Sequence, residues 1–372
     1  MRRPAAPRAR DRGDPRSTDR CRTATRRLYP APPGAPADVL GLELAGEVVA
    51  VGSKVTLAAP GDRVMAAVTG GGQATLAAVD ESHLLCVPDR VGWPEAGGFP
   101  EAYSTAYDAL FTRCGLAPGD RLLVTRAAGG RVGAVQLGAV AGATVVASVR
   151  DPRRRVKAAA LGAHEVVSAD DLAGHDPYDV VSELVGVASL SQALDALATG
   201  ARVAVIEVGS GTRLEVELGL MQRRATIAGS TFPGRSSTER AAVSHAVRTH
   251  VVPLVAEGRV RVPVCATYPL AEVAAAYDRF AGGKKLGKVV LVTGDAWLPV
   301  TLCSRASETE RDKSARRAPP RATRAHTHRK HTRRRGPFGP LLRCNSAQPV
   351  GAADIGACRS MGAATGPPAS GR

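Results

Sequence analysis

Three small residues, Ala128, Gly130 and Gly133, stand at the spacing A-x-G-x-x-G between two apolar runs, 122–125 and 144–149. The chemistry this spacing permits is the seating of a pyrophosphate. Backbone N–H groups at a helix N-terminus point at an anion, and a Cβ in the turn would hold that anion off. Gly130 would allow the close approach, and Gly133 would let the helix lie tightly on its strand. With 40 glycines in the chain, such a spacing is weak alone. Its weight comes from context: a short branched strand precedes it, an apolar helix from Ala134 to Ala141 follows and closes at Gly142, and a second buried strand comes next. That is a βαβ unit with the glycine turn where a dinucleotide needs it.

The end of the second strand selects between dinucleotides. A 2′-hydroxyl is met by an Asp or Glu there, a 2′-phosphate by a guanidinium. This chain has Val149 at that point, followed by Arg150, Asp151, Pro152, Arg153 and Arg154. Arg150, Arg153 and Arg154 are therefore candidates for a 2′-phosphate, and the cofactor expected is NADPH. The other reading of these arginines is the exposed start of a helix.

The 372 residues are enough for two domains, and with only 3% aromatic residues the core must come from Val, Leu, Ala and Ile. The net charge of +16 is unevenly spread: residues 1–28 carry +7 and residues 301–372 carry +11, leaving 29–300 at −2. The basic character belongs to the ends, so overall charge does not make the body a nucleic-acid binder. Seven cysteines occur with no C-x-x-C pair, a pattern of reduced thiols rather than a disulfide framework. There is no apolar run long enough to span a membrane and no apolar segment after the first arginines to act as a secretory signal, so a cytoplasmic location is expected.

Along the chain, 1–27 has no periodicity. Short strands follow without helices between them, at Leu44–Gly52, after Gly61, at Ala74–Val79 and at His83–Val87, as in a small β domain. From Trp93 to Arg113 the pattern is helical. Beyond the βαβ unit, strands and helices alternate, including strands at Glu165–Val167, Tyr178–Val181, Ala201–Glu207 and Ala225–Gly229, a long helix from Glu239 to Gly258, and a last strand at Lys288–Val292. Alternation of this kind means an α/β fold with a doubly wound parallel sheet. Residues 296–372 carry basic runs such as Arg333-Arg334-Arg335 with no core-forming period. They read as a disordered basic tail; an arm binding nucleic acid by charge is the weaker reading.

Residues 28–293 resemble the zinc-independent quinone oxidoreductase branch of the medium-chain dehydrogenase/reductase superfamily. The resemblance is carried by Leu28-Tyr29-Pro30 with Pro32-Pro33-Gly34, by Gly41-Leu42-Glu43-Leu44-Ala45-Gly46-Glu47-Val48, by Gly61-Asp62-Arg63-Val64, by Pro100-Glu101-Ala102-Tyr103, by the glycine turn, and by Leu286-Gly287-Lys288-Val289-Val290. It implies a GroES-like β domain over 28–100, a Rossmann dinucleotide-binding domain over 101–265, and a return to the first domain over 266–295. It implies NADPH between the domains, hydride transfer to a quinone or other electron-poor enone or carbonyl, and a homodimer through the Rossmann sheet. By the family pattern Tyr29 lines the cleft near nicotinamide and substrate, and Thr105 lies near the nicotinamide ribose. Gly130, Arg131 and Val132 face the pyrophosphate. Val208, Gly209, Ser210 and Gly211 line the nicotinamide pocket, with Thr231, Phe232 and Arg235 on its far wall. The zinc alcohol dehydrogenases have Gly-His-Glu where this chain has Gly41-Leu42-Glu43, and leucine cannot ligate a metal, so no zinc is expected.

Two departures from the pattern shape further expectations. Residues 1–27 do not resemble the family's opening strands, so the β domain is expected to lack strands and to expose an edge and apolar surface. The helix after Gly133 reaches Gln136-Leu137 two residues early, so a frayed or rearranged helix is expected. Two functional readings follow: an NADPH-dependent quinone reductase, or a non-catalytic homologue that at most binds nucleotide.

Overall fold

The computed structural model describes residues 38–127, 131–183, 187–206, 213–215, 220–232, 234–282, 286–294 and 299–303. The strands in chain order are β1 (Glu43–Val51), β2 (Arg63–Ala67), β3 (Ala77–Asp80), β4 (Leu84–Cys86), β5 (Arg121–Val124), β6 (Thr144–Val149), β7 (Glu165–Ser168), β8 (Tyr178–Glu183), β9 (Leu197–Val205), β10 (Thr226–Gly229), β11 (Val264–Pro269), β12 (Lys288–Val292) and β13 (Pro299–Cys303). They form a six-stranded sheet in the order β10-β9-β8-β5-β6-β7, a five-stranded sheet in the order β3-β13-β1-β2-β4, and the pair β11-β12.

Every pairing in the six-stranded sheet is parallel. Alternate residues of its central strands feed two cores, as a sheet buried on both faces requires. Leu122, Val124, Val145, Ala147 and Val180 enter one core with the helices Pro100–Tyr107 and Val132–Val140, and Leu123, Val146, Val181 and Val203 enter the other. The chain starts the sheet at β5, builds outward through β6 and β7, then returns to lay β8, β9 and β10 on the other side. The direction of winding reverses between β5 and β8, and the crevice at the carboxyl ends of the strands there is the ligand site of such sheets.

The helix Val132–Val140 is a regular nine-residue α-helix, which corrects the expectation of fraying. Two glycines make the short crossover fit. A Cβ on Gly138 would come within 2.5 Å of Leu122 Cδ2 and 3.0 Å of Val145 Cγ2, so only glycine lets the helix approach β5 and β6 this closely. Gly142, at φ +81°, then ends the helix, with Ala143 N–H bonded to Gly138 O. The helix expected from Glu239 to Gly258 is two, Ser237–His250 and Val252–Ala256, because Pro253 cannot continue the first.

The five-stranded sheet corrects a further expectation. Order does not end at residue 295: β13 pairs in parallel with β1 on one side and β3 on the other. Its Val300 and Leu302 are fully buried among Leu44, Val48, Val64, Val79 and Leu84. β1 is therefore flanked on both sides, by β2 and by a strand from the far end of the described chain, and the sheet ends at β3 and β4. Apolar surface does remain, with Val49 and Leu76 each more than half exposed. Cys86 is disulfide-bonded, against the expectation of reduced cysteines, while Cys114, Cys265 and Cys303 are free. Among the described residues no helix is long and apolar enough to cross a membrane.

Candidate functional site

The segment leaving β5 stays wedged between its neighbours. Thr125 N–H donates to Ser182 O at 3.2 Å on the β8 side, and Ala127 N–H to Ser148 O at 2.8 Å on the β6 side. Between them Arg126 takes φ +45° and donates its N–H to Ser148 Oγ at 2.8 Å. The turn thus opens at the carboxyl ends of β5, β6 and β8. Ala128 and Gly130 lie outside the described residues. The helix runs from Val132 with Arg131 at its N-cap, and the Arg131 side chain makes no capping hydrogen bond. Val132 is buried, and a Cβ on Gly133 would sit 3.1 Å from Ala102 O, so the helix start is pressed against the helix Pro100–Tyr107. An uncapped helix start retains unsatisfied N–H groups for an anion.

The residues present fit a dinucleotide. Arg126 Nε is buried with no hydrogen-bond partner among the described residues, a donor left unused beside the turn. Glu183, fully buried at the end of β8, accepts from Ser189 Oγ at 3.0 Å. Arg150 is exposed where β6 ends. Arg153 and Arg154 are engaged differently: Asp151 accepts from Arg153 Nε at 3.0 Å and lies 3.6 Å from Arg154 Nε. The hydrogen bond from Arg153 is the main reason the Asp151 carboxyl lies below its ordinary pKa. Of the three arginines expected to meet a 2′-phosphate, Arg150 alone lacks that carboxylate partner among the described residues. Sequence reasoning passed over Arg126; the signal was a bulky cation inside a turn built for small residues.

On the nicotinamide side, Thr105 Oγ1 donates to Glu101 Oε1 at 3.2 Å. Glu101 N–H donates to Glu43 Oε2 at 3.0 Å, and Glu43 is paired with Lys288, tying β1, the helix Pro100–Tyr107 and β12 together. Phe232 is buried. Arg235 is committed to Asp108: Nη1 donates to Oδ1 at 2.9 Å, Nη2 to Oδ2, and Ser230 Oγ to Oδ2 at 2.7 Å. Burial would raise the pKa of Asp108, but the hydrogen bonds from Arg235 and Ser230 and the charges of Arg235 and Arg113 outweigh it and hold the carboxyl below its ordinary value. Arg235 and Asp108 thus form a buried ion pair that fixes the segment after β10 to the π-helical turn Asp108–Arg113. Tyr29, Val208, Gly209, Ser210 and Gly211 lie outside the described residues. Among the described residues no three His, Cys, Asp or Glu side chains are grouped to hold a metal ion.

Residues 17–113 match the alcohol dehydrogenase GroES-like domain family, and residues 161–291 match the zinc-binding dehydrogenase family. The first match reaches into the stretch 1–27 that the sequence had set apart. The chain is 29% identical over 262 residues to quinone oxidoreductase-like protein 2 of Bos taurus, covering 68% of this chain and 75% of that protein. It is 35% identical over 195 residues to the polyketide synthase GfsB of Streptomyces halstedii, covering 51% of this chain but only 3% of that much longer protein. Among solved structures, a probable oxidoreductase from Mycobacterium abscessus superposes with a TM-score of 0.56 at 30% identity, covering 68% of this chain and 79% of the other. With the reversed parallel sheet, the glycine-dependent helix and the GroES-like sheet in place, the chain belongs to the medium-chain dehydrogenase/reductase superfamily of oxidoreductases.

Proposed function

We propose that this protein is an NADPH-dependent reductase of quinones or other electron-poor enones or carbonyls that works without a catalytic metal. The observation that carries the reading is the crevice at the ends of β5 and β6. A helix start whose N-cap side chain makes no capping bond lies there with the arginines Arg126, Arg131 and Arg150, the last two close enough to act on the charge of the first. Two phosphates and a 2′-phosphate are the ligand such a cluster suits. Val149 in place of an acidic residue at the end of β6 supports NADPH over NADH. Leu42 in the place of the zinc branch's histidine supports a metal-free site, and the likeness to a quinone oxidoreductase-like protein supports the acceptor class.

When bound, NADPH supplies a hydride from its nicotinamide. The chain's own part is to orient and to exclude water. The Glu43–Lys288 pair and the Asp108–Arg235 pair hold the walls on either side of the helix Pro100–Tyr107. With a quinone acceptor, the hydride and one proton from solvent complete the hydroquinone. A homodimer through the parallel sheet belongs to the same proposal. β10 is an edge strand whose Ile227 is exposed, an edge on which a second copy can continue the sheet.

The test is to mix the full chain with NADPH and a simple quinone and to follow the loss of nicotinamide absorbance. Turnover that saturates in both substrates and survives prior dialysis against a chelator is the expected result. Binding of NADPH without turnover on quinones, enones or carbonyls would mean a non-catalytic homologue.

A further inference from the structure

Arg126 is held in a backbone conformation that an arginine rarely adopts. Its φ of +45° lies in the left-handed region, where glycine sits without strain and a residue with a Cβ does not. The conformation is imposed from outside, because the N–H groups of Arg126 and Ala127 are both fixed to Ser148 on β6, at 2.8 Å each. A glycine would satisfy the same two bonds at lower cost, so the reason for arginine is to be sought in its side chain.

That side chain is placed at a disadvantage as the structure stands. Nε is buried with no hydrogen-bond partner among the described residues. Burial, and then the like charges of Arg150 and Arg131, hold the guanidinium below the ordinary arginine pKa, while Glu183 and Asp170 pull the other way. The Glu183 carboxylate already accepts from Ser189 Oγ.

We infer that Arg126 is a cofactor-selecting residue: its guanidinium, with that of Arg150, takes the 2′-phosphate monoester of an NADP-type dinucleotide. The inference rests on the NADPH reading above. The adenosine ribose of a bound dinucleotide lies at the end of the second strand of the βαβ unit, here β6. Arg126 is fastened to Ser148 on that strand, one residue before its end, and Arg150 leaves from the same end. A phosphate dianion offers acceptors in the fork geometry of a guanidinium and relieves the repulsion among the three cations; a bare 2′-hydroxyl does neither. Arg153, exposed and held by Asp151, is assigned no part in this.

The test titrates the full chain with NADPH and NADH by tryptophan fluorescence, with 2′-AMP and 5′-AMP as non-redox competitors, in the wild type, R126G and R126K. The expected result is that R126G weakens NADPH and 2′-AMP by about tenfold to a hundredfold while NADH and 5′-AMP stay within about twofold. R126K recovers part of the loss. Because glycine removes the strain, R126G is also expected to melt no lower than the wild type. Equal weakening of both dinucleotides would overturn the inference by assigning Arg126 to the shared pyrophosphate. Unchanged affinities, or a lower melting temperature with selectivity kept, would overturn it by leaving the residue a structural role only. Failure of the underlying NADPH reading shows itself separately, in the wild type: binding neither dinucleotide, or NADH as well as NADPH, sinks both proposals before any variant is made.

Discussion

The six strands of the parallel sheet come from one continuous stretch between Arg121 and Gly229, whereas the five-stranded sheet takes four strands from Glu43–Cys86 and closes with a fifth from Pro299–Cys303. In the first sheet every strand but β8, which returns past β6 and β7 to β5, pairs with the strand before it, and the winding itself creates the crevice. In the second, β13 must arrive from beyond every other element and insert between β1 and β3. The loop closed is the longest in the described chain, and loop closure is entropic cost that only burial can offset. The parallel sheet is therefore locally assembled, while the five-stranded sheet depends on a distant contact. The two should separate under stress, the β domain opening first.

Leu302→Asp is the change expected to break that contrast most severely. It puts a charge into a core position that is 1% exposed, with no cation partner, at a cost of several kcal/mol. Hydrogen exchange should show loss of protection in β1 and β3 with β5, β6 and β8 still protected. Loss across both sheets together would mean that the domains fold as one unit and that the comparison fails.

Asp108→Ala is next. It leaves Arg235, 8% exposed, as an uncompensated buried charge, for about 3–5 kcal/mol in urea denaturation. The acid dependence follows from the sign of the shift. The folded carboxyl titrates below its ordinary 3.8, so its contribution is present above that pH and is lost as pH falls through the folded value. Wild type and Asp108→Asn should differ in stability at neutral pH and converge in strong acid.

Gly138→Ala tests the close packing of the helix Val132–Val140. A Cβ there meets Leu122 and Val145, and overpacking of this kind costs about 1–3 kcal/mol. Urea denaturation should show that loss, with coenzyme affinity falling too if the helix start shifts. The smallest effect is expected from Glu165→Gln. It removes a bidentate partner of Arg121, at 2.7 Å for both bonds, but Glu165 is 41% exposed, and the loss should be under about 1 kcal/mol in thermal unfolding.

What the sequence made legible follows the same division. The βαβ unit, the alternation to β10 and the helix stop at Gly142 were readable because each carries its own local period or turn residue. β13 was not: five residues give too short a period to recognise, and their partners β1 and β3 lie more than two hundred positions away. The helix Val132–Val140 was misjudged because its length was compared with a pattern, while Gly138 compensates by letting it approach more closely. In the site, Arg150 was legible from its place after a strand. Arg235 was named from the family pattern, but its pairing was not legible, because its partner Asp108 is 127 positions distant and sits in a helix that reads only as amphipathic. Arg126 could have been noticed as a large cation in a turn of small residues, but its backbone strain appears only in three dimensions.

The central claim is that the crevice at the ends of β5 and β6 holds a reduced dinucleotide carrying a 2′-phosphate. Calorimetric titration of the full chain with NADPH tests it most directly. The account predicts one site per chain with a micromolar or tighter Kd, about −8 kcal/mol or better, and weaker binding of NADH. No heat of binding for NADPH at millimolar concentration, from a chain shown to be folded, would contradict it.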